Sequence, residues 1–254
     1  MSKIKTIALC ACLSLSGCGG QKKPPPVLPS PVAEVPVSVP VKRPPPLSPT
    51  KRAIVNVAKA EWDYFGQQRI VYQGNEESIP HVGFWEDDDS HVFRVNMYWS
   101  AVGMPGLDGN DCKQPWSAAF ISYVMQRAGV PSFQFPPARA HWVYLKHFVR
   151  DNGMPGQGFV PHGIREYRAQ PGDLICATRE HYGAPMLRGP ADASFLDNNK
   201  LHCDIVVTRE GSTLEVIGGN VRNSVSKSVL TLDGSGYLQP IKRRPWFVVV
   251  ENRL

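Results

Sequence analysis

Long apolar runs are scarce in this chain of 254 residues. The one near its start, Ile7 to Leu15, falls short of the roughly 20 residues that a membrane-spanning helix needs. Basic runs interleaved with aromatics are missing too, so the formal net charge of +6 is too diffuse to argue for a nucleic-acid partner. Cysteine is sparse beyond residue 18, where only Cys112, Cys176 and Cys203 remain. In an oxidising compartment those thiols allow at most one internal disulfide with one left over, and their spacing does not say which pair forms. No third ligand stands at recognisable spacing beside His202 and Asp204, which weighs against a metal site. No internal repeat is evident.

What is present begins with an address. Lys3 and Lys5 precede the short apolar run, which ends in Leu15-Ser16-Gly17-Cys18. Residues 1–18 therefore read as a signal peptide whose end resembles a bacterial lipobox, with Cys18 as the lipidated residue. An ordinary secretory signal with a chance cysteine is the competing reading. Gly19 after Cys18, rather than Asp, implies by resemblance to known lipoproteins an outer-membrane, periplasm-facing destination, held through acyl chains alone. Residues 19–50 are dense in proline, which fixes φ and removes backbone donors. They read as an extended tether reaching on the order of 90 Å at ~3.1 Å per residue. A ligand for a proline-binding domain is the alternative.

Residues 51–254 leave roughly 200 residues, enough for one sizeable domain. Ile54, Ala58, Trp62 and Phe65 form one helical stripe with Gly66 as a stop, and His91 to Val102 carries a second amphipathic pattern. Gly103 to Gln114 reads as a loop. Pro115-Trp116-Ser117-Ala118-Ala119-Phe120 then opens a helix that Gly129 and Pro131 close. A further helix is expected over Ala138 to Val149. After Gly172 the pattern changes to strands, at Asp173–Ala177, Cys203–Val207, Leu214–Ile217 and Trp246–Val250. Helices first and strands afterwards predict an α+β domain, its helices packed on a mostly antiparallel sheet.

Three residues carry the chemistry expected of this pattern. Ser117 stands at the start of a buried helical stripe with Phe120, Ile121, Val124 and Ala128, near free backbone N–H groups that suit an oxyanion. Its bland reading is a small residue that lets the helix approach the sheet. His202 opens a strand with Asp204 on the same face, and is placed to act as general base or simply to serve the structure. Asn220 follows Gly218-Gly219, where its amide suits orienting an imidazole, or a turn. His141, on the helix after Ser117, reads first as a core-edge histidine, with the cleft as its alternative. The segment Thr178 to Leu201, with Arg179, His181, Tyr182 and Arg188, is a candidate lid or a surface insertion.

PWSAAFISYVMQRAGVP, PGDLI, HCDIVV and GGNV follow the order seen in CHAP and NlpC-type cell-wall amidases and endopeptidases. More closely, Ile54 to Val250 resembles the bacterial domain-of-unknown-function family 2272. The CHAP and NlpC resemblance implies a papain-like fold and amide hydrolysis of peptidoglycan peptides without metal or cofactor. Ser117 would be the nucleophile, His202 the base and Asn220 the orienting residue. The related amidases carry Cys where Ser117 stands. Asp111-Cys112 resembles the Asp-Cys pair of NlpC-type enzymes, which makes Cys112 an alternative nucleophile, although it lies before the helix. A non-catalytic, peptidoglycan-binding or envelope-scaffolding lipoprotein with a degenerate cleft is the rival expectation.

Overall fold

The computed structural model describes residues 46–179 and 190–254. The signal peptide, Cys18 and most of the tether lie outside these residues, as do His181, Tyr182 and Arg188 of the candidate lid. Ser48 caps the first helix by accepting the Lys51 N–H at 3.2 Å. Helix α1 (Pro49–Tyr64) thus starts two residues before the expected boundary, with proline in its first turn. It buries Ile54, Val55 and Ala58, the face that its periodicity marks. A hairpin, β1 (Arg69–Gln73) and β2 (Glu76–His81), follows. Helices α2 (Val92–Ser100), α3 (Ser117–Arg127) and α4 (His141–Arg150) come next. The remaining strands are β3 (Phe159–Gly163), β4 (Leu174–Thr178), β5 (Leu201–Glu210), β6 (Thr213–Val221), β7 (Ser224–Thr231) and β8 (Trp246–Asn252).

The fold is α+β, and its eight strands make one sheet in the order β2-β1-β7-β6-β5-β4-β8-β3. All pairings are antiparallel except β1 with β7, which run parallel with Arg69 opposite Lys227. The expectation of helices first and strands afterwards fails at this point. The β1–β2 hairpin precedes α2 and extends the far edge of the sheet.

Strand alternation divides the core in two. Cys203, Ile205 and Val207 of β5 pack with α1–α4, whereas Val206 joins Ile175, Val216, Leu230 and Val249 in a second cluster on the other face. His202 and Asp204 share the parity of Val206, so they leave β5 on the face away from the helices. Cys176 of β4 lies directly opposite Cys203 of β5, and the two form the disulfide, their Cα atoms 4.1 Å apart. Among the described residues Cys112 is the free, exposed thiol.

Asp173, from the PGDLI turn, ties the domain's two ends together. Its carboxylate accepts the backbone N–H of Asn252 at 3.0 Å and of Gln170 at 2.7 Å, and faces Lys51 of α1 at 3.5 Å. Burial pushes its carboxyl up to about 6 despite these partners. Among the described residues no helix is long and apolar enough to cross a membrane.

Candidate functional site

Helix α3 begins two residues after Pro115: Trp116 is the N-cap and Ser117 the first helical residue. The first intrahelical bond runs from Phe120 N–H to Trp116 C=O at 2.9 Å. The amides of Ser117, Ala118 and Ala119 therefore precede the hydrogen-bonded ladder, at the positive end of the helix dipole. Ser117 is only 1% exposed, yet it forms part of the wall of a cleft of about 570 Å³ together with Cys112, Arg139, His141, Arg179 and Asn220.

The partner of Ser117 is His141, whose Nε2 lies 2.7 Å from Ser117 Oγ. A buried serine one turn further along α3 places that imidazole. Ser122 Oγ accepts the Ala138 N–H at 3.0 Å and donates to the Ala118 carbonyl at 2.9 Å. The segment leading into α4 is thereby held against α3, and His141, first residue of α4, falls beside Ser117. The other ring nitrogen, Nδ1, meets the Tyr144 hydroxyl one turn along the same helix. Burial drives the His141 imidazole well below its usual range, and the positive potential of His202, Arg179 and Arg244 acts in the same direction. Burial also raises Tyr144 well above the ordinary phenol range. At neutral pH the relay therefore consists of uncharged groups.

A second histidine stands next to the first. The His202 ring lies 5.6 Å, centroid to centroid, from that of His141. Its Nε2 is 2.7 Å from Asp204 Oδ1, and both side chains are 1% exposed. Burial lowers His202 further than Asp204 raises it. Burial raises the Asp204 carboxyl, but His202 and Arg244 outweigh that and carry it below the usual range. The neutral ring donating to a carboxylate is the arrangement these directions describe. Gly218 makes room for it, because a Cβ there would stand 1.7 Å from Asp204 Oδ1. The neighbouring Gly219 serves the opposite face, where a Cβ would meet Phe120 and Trp116 at 2.5 and 2.6 Å.

Asn220 lies beside the cleft, but its amide is bonded elsewhere. Its Nδ2 donates to Glu86 Oε2 at 3.0 Å, the same oxygen that receives the Trp116 indole N–H. Burial pushes the Glu86 carboxyl up, with Asp87 adding to the effect. Glu86 thus fastens the turn after Gly219 to the residue that caps α3.

The profile of a bacterial family described as "Uncharacterized protein conserved in bacteria (DUF2272)" matches residues 82–252. The chain belongs to the DUF2272 family. No curated protein and no solved structure matches it. In this DUF2272 chain the matched span holds Ser117, His141, His202 and Asn220, while α1 and the β1–β2 hairpin precede it.

The DUF2272 chain thus brings together one pair that sequence reasoning put elsewhere. His141, taken first for a core-edge histidine, is the imidazole bonded to Ser117. Among the described residues the partner of His202 is Asp204 rather than Asn220, and Glu86 and Tyr144 add further hydrogen bonds at the site. The helical i, i+3 spacing of His141 and Tyr144 was the available signal for the bond between those two side chains alone. No group of three metal-ligating side chains capable of holding an ion occurs among the described residues. Cys112 borders the cleft, with its Sγ 3.6 Å from the Gly109 carbonyl.

Proposed function

We propose that this domain is a serine acyl hydrolase acting on amides, in which Ser117 is the nucleophile and His141 the general base. The observation that carries the reading is the 2.7 Å contact between Ser117 Oγ and His141 Nε2 at the wall of a cleft. With its proton on Nδ1 and directed at the Tyr144 oxygen, His141 has its Nε2 lone pair free for the serine proton. Ser117 Oγ attacks the carbonyl carbon, and the amides at the start of α3 receive the oxyanion. The imidazolium returns its proton to the leaving amine as the C–N bond breaks. Water then repeats the sequence and releases the acid from the acyl-enzyme.

The cell-wall part of the proposal rests on sequence. PGDLI, HCDIVV and GGNV resemble the CHAP and NlpC-type segments of papain-like enzymes, and the lipobox and tether suit a lipid-anchored protein of the outer membrane facing peptidoglycan. We accordingly propose peptidoglycan peptides as the substrate class. His202 and Asp204 then act as a buried electrostatic support beside His141, and Asn220 as a wall of the cleft. One observation favours the rival, a non-catalytic peptidoglycan-binding lipoprotein. His141 is oriented by a tyrosine hydroxyl, which stabilises an imidazolium less than the carboxylate of a Ser-His-Asp triad does.

Incubation of the protein with defined muropeptides, followed by mass spectrometry, separates the two readings. Cleavage that disappears in Ser117→Ala supports the hydrolase. Absence of any cleavage, together with failure of a fluorophosphonate probe to label Ser117, selects the binding protein. Cleavage that survives Ser117→Ala but not Cys112→Ala transfers the nucleophile to the thiol.

A further inference from the structure

Arg179 borders two cavities. One is the Ser117 cleft. The other, about 420 Å³, is bounded by Arg179, Arg222, Arg243, Arg244, Tyr72 and His202. Four guanidinium groups converge there on a single carboxylate of the lining, Glu77, and Arg222 already engages it at 2.6 Å. Among the described residues Arg179, Arg243 and Arg244 form no ion pair with a carboxylate. The Arg244 guanidinium donates to the Tyr72 hydroxyl, at 3.4 Å, and feels the charge of the Asp204 carboxylate, which is hydrogen-bonded to His202.

Holding like charges this close costs energy unless an anion joins them, and the backbone shows how they are held. Arg222 and Asn223 turn β6 into β7 with φ of 54° and 59°, the left-handed pair of a two-residue hairpin turn closed by Val221 opposite Ser224. Arg179 is anchored through its N–H to the Lys200 carbonyl at 2.8 Å, and Arg244 through a bridge to Ile241. The imidazole of His202 is buried to 1% exposure, and its Nδ1 has no hydrogen-bond partner among the described residues.

We propose that this arginine cavity is an anion subsite, which takes a carboxylate or phosphate group on the molecule whose acyl group reaches Ser117. It rests on the hydrolase reading for the identity of that molecule, and Arg179 is the shared wall between the two cavities. Planar guanidinium forks match both oxyanions in bidentate geometry. In a cell-wall peptide the group is a free carboxylate, and in a phosphorylated polymer it is a phosphate.

The test is calorimetric titration of the full-length chain carrying Ser117→Ala, at low ionic strength, with three probes: N-acetyl-alanyl-alanine, its C-terminal amide and inorganic phosphate. One of the two anions binds, the amide binds at least about tenfold more weakly than the acid if the acid is the ligand, and Arg243→Ala or Arg179→Gln weakens the anion about tenfold. Arg52→Ala, an exposed position on α1, leaves it unchanged. Whether the peptide acid or phosphate binds identifies the oxyanion. Equal binding of acid and amide without phosphate binding, no binding of either anion, or an Arg52→Ala effect as large as that of Arg243→Ala overturns the subsite. Because the variant lacks the serine hydroxyl, a wild-type protein that hydrolyses nothing refutes the catalytic reading while leaving this result intact.

Discussion

His141 and His202 are buried neighbours with rings 5.6 Å apart, but they are built for different tasks. His141 sits on the helical side, with a hydroxyl at each nitrogen. His202 leaves the sheet on the other side and gives one nitrogen to a carboxylate. Hydroxyls donate or accept without fixing charge, so the first ring can hold either tautomer. A carboxylate bond orients a ring and makes its displacement expensive. In the proposed mechanism the first histidine moves a proton and the second holds a field.

The largest effects belong to the first. Ser117→Ala or His141→Ala should lower kcat/KM on a cleaved substrate by about 10²–10⁴-fold, the serine change leaving the unfolding midpoint nearly unmoved and the histidine change adding a cavity cost of about 1–3 kcal/mol. If either loss is matched by His202→Gln at unchanged stability, the division between the histidines is broken. The second histidine should register in stability. Asp204→Ala strands a buried imidazole, and urea unfolding should report a loss of about 3 kcal/mol.

Adjacent glycines allow the two sides to be perturbed separately. Gly218→Ala drives a Cβ into Asp204, while Gly219→Ala drives one into Phe120 and Trp116. The first should destabilise by about 1–3 kcal/mol and leave fluorophosphonate labelling of Ser117 in the residual folded protein. The second should reduce that labelling as well, because α3 itself must shift. Equal labelling in both variants would contradict the assignment of one glycine to each face.

Smaller effects refine the comparison. Tyr144→Phe removes the partner of Nδ1 and should lower kcat about tenfold with little change in KM. Both histidines have folded-state values below their usual range. Below about pH 6.5 the unfolded chain therefore takes up protons that the native rings refuse, and stability falls with acid. Asp173, raised to about 6, acts oppositely, since its protonation favours the native state as pH drops. Replacing His141 with Phe should reduce the acid-side slope of stability by up to about 1.4 kcal/mol per pH unit. An unchanged slope would mean that His141 is charged in the native state.

The parts of this fold that could be read from sequence had a strong period or a clear stop. The α3 stripe, the glycine-rich loop before it, and the apolar cores of β4, β5, β6 and β8 were all of that kind. Strand β7 was missed because its buried positions Ser224, Ser226 and Ser228 are small and polar, which hides the period-two signal. Strand β2 was missed because nearly all of it is exposed, and β3 because Pro161 interrupts it. At the site, Ser117, His202 and Asn220 could be singled out from their local settings and Asp204 placed on the face of His202, but the partners of Ser117 and Asn220 could not be read. The Ser117–His141 contact joins two helices through a loop pinned by Ser122, and no spacing rule encodes such a contact. Asn220 turns toward Glu86, 134 positions earlier in the chain.

The Cys176–Cys203 bond closes a stretch with a sequence separation of 27, and that stretch contains Arg179, the wall shared by both cavities. A cross-link of this span restricts the unfolded chain by about 3–4 kcal/mol. It also has a consequence wherever the protein meets proteases. A cut anywhere between the two cysteines leaves one covalent molecule, with β4 and β5 still paired, so the chain can be nicked beside its cleft without losing either half. Such a nick would go unseen on a gel until the sample was reduced.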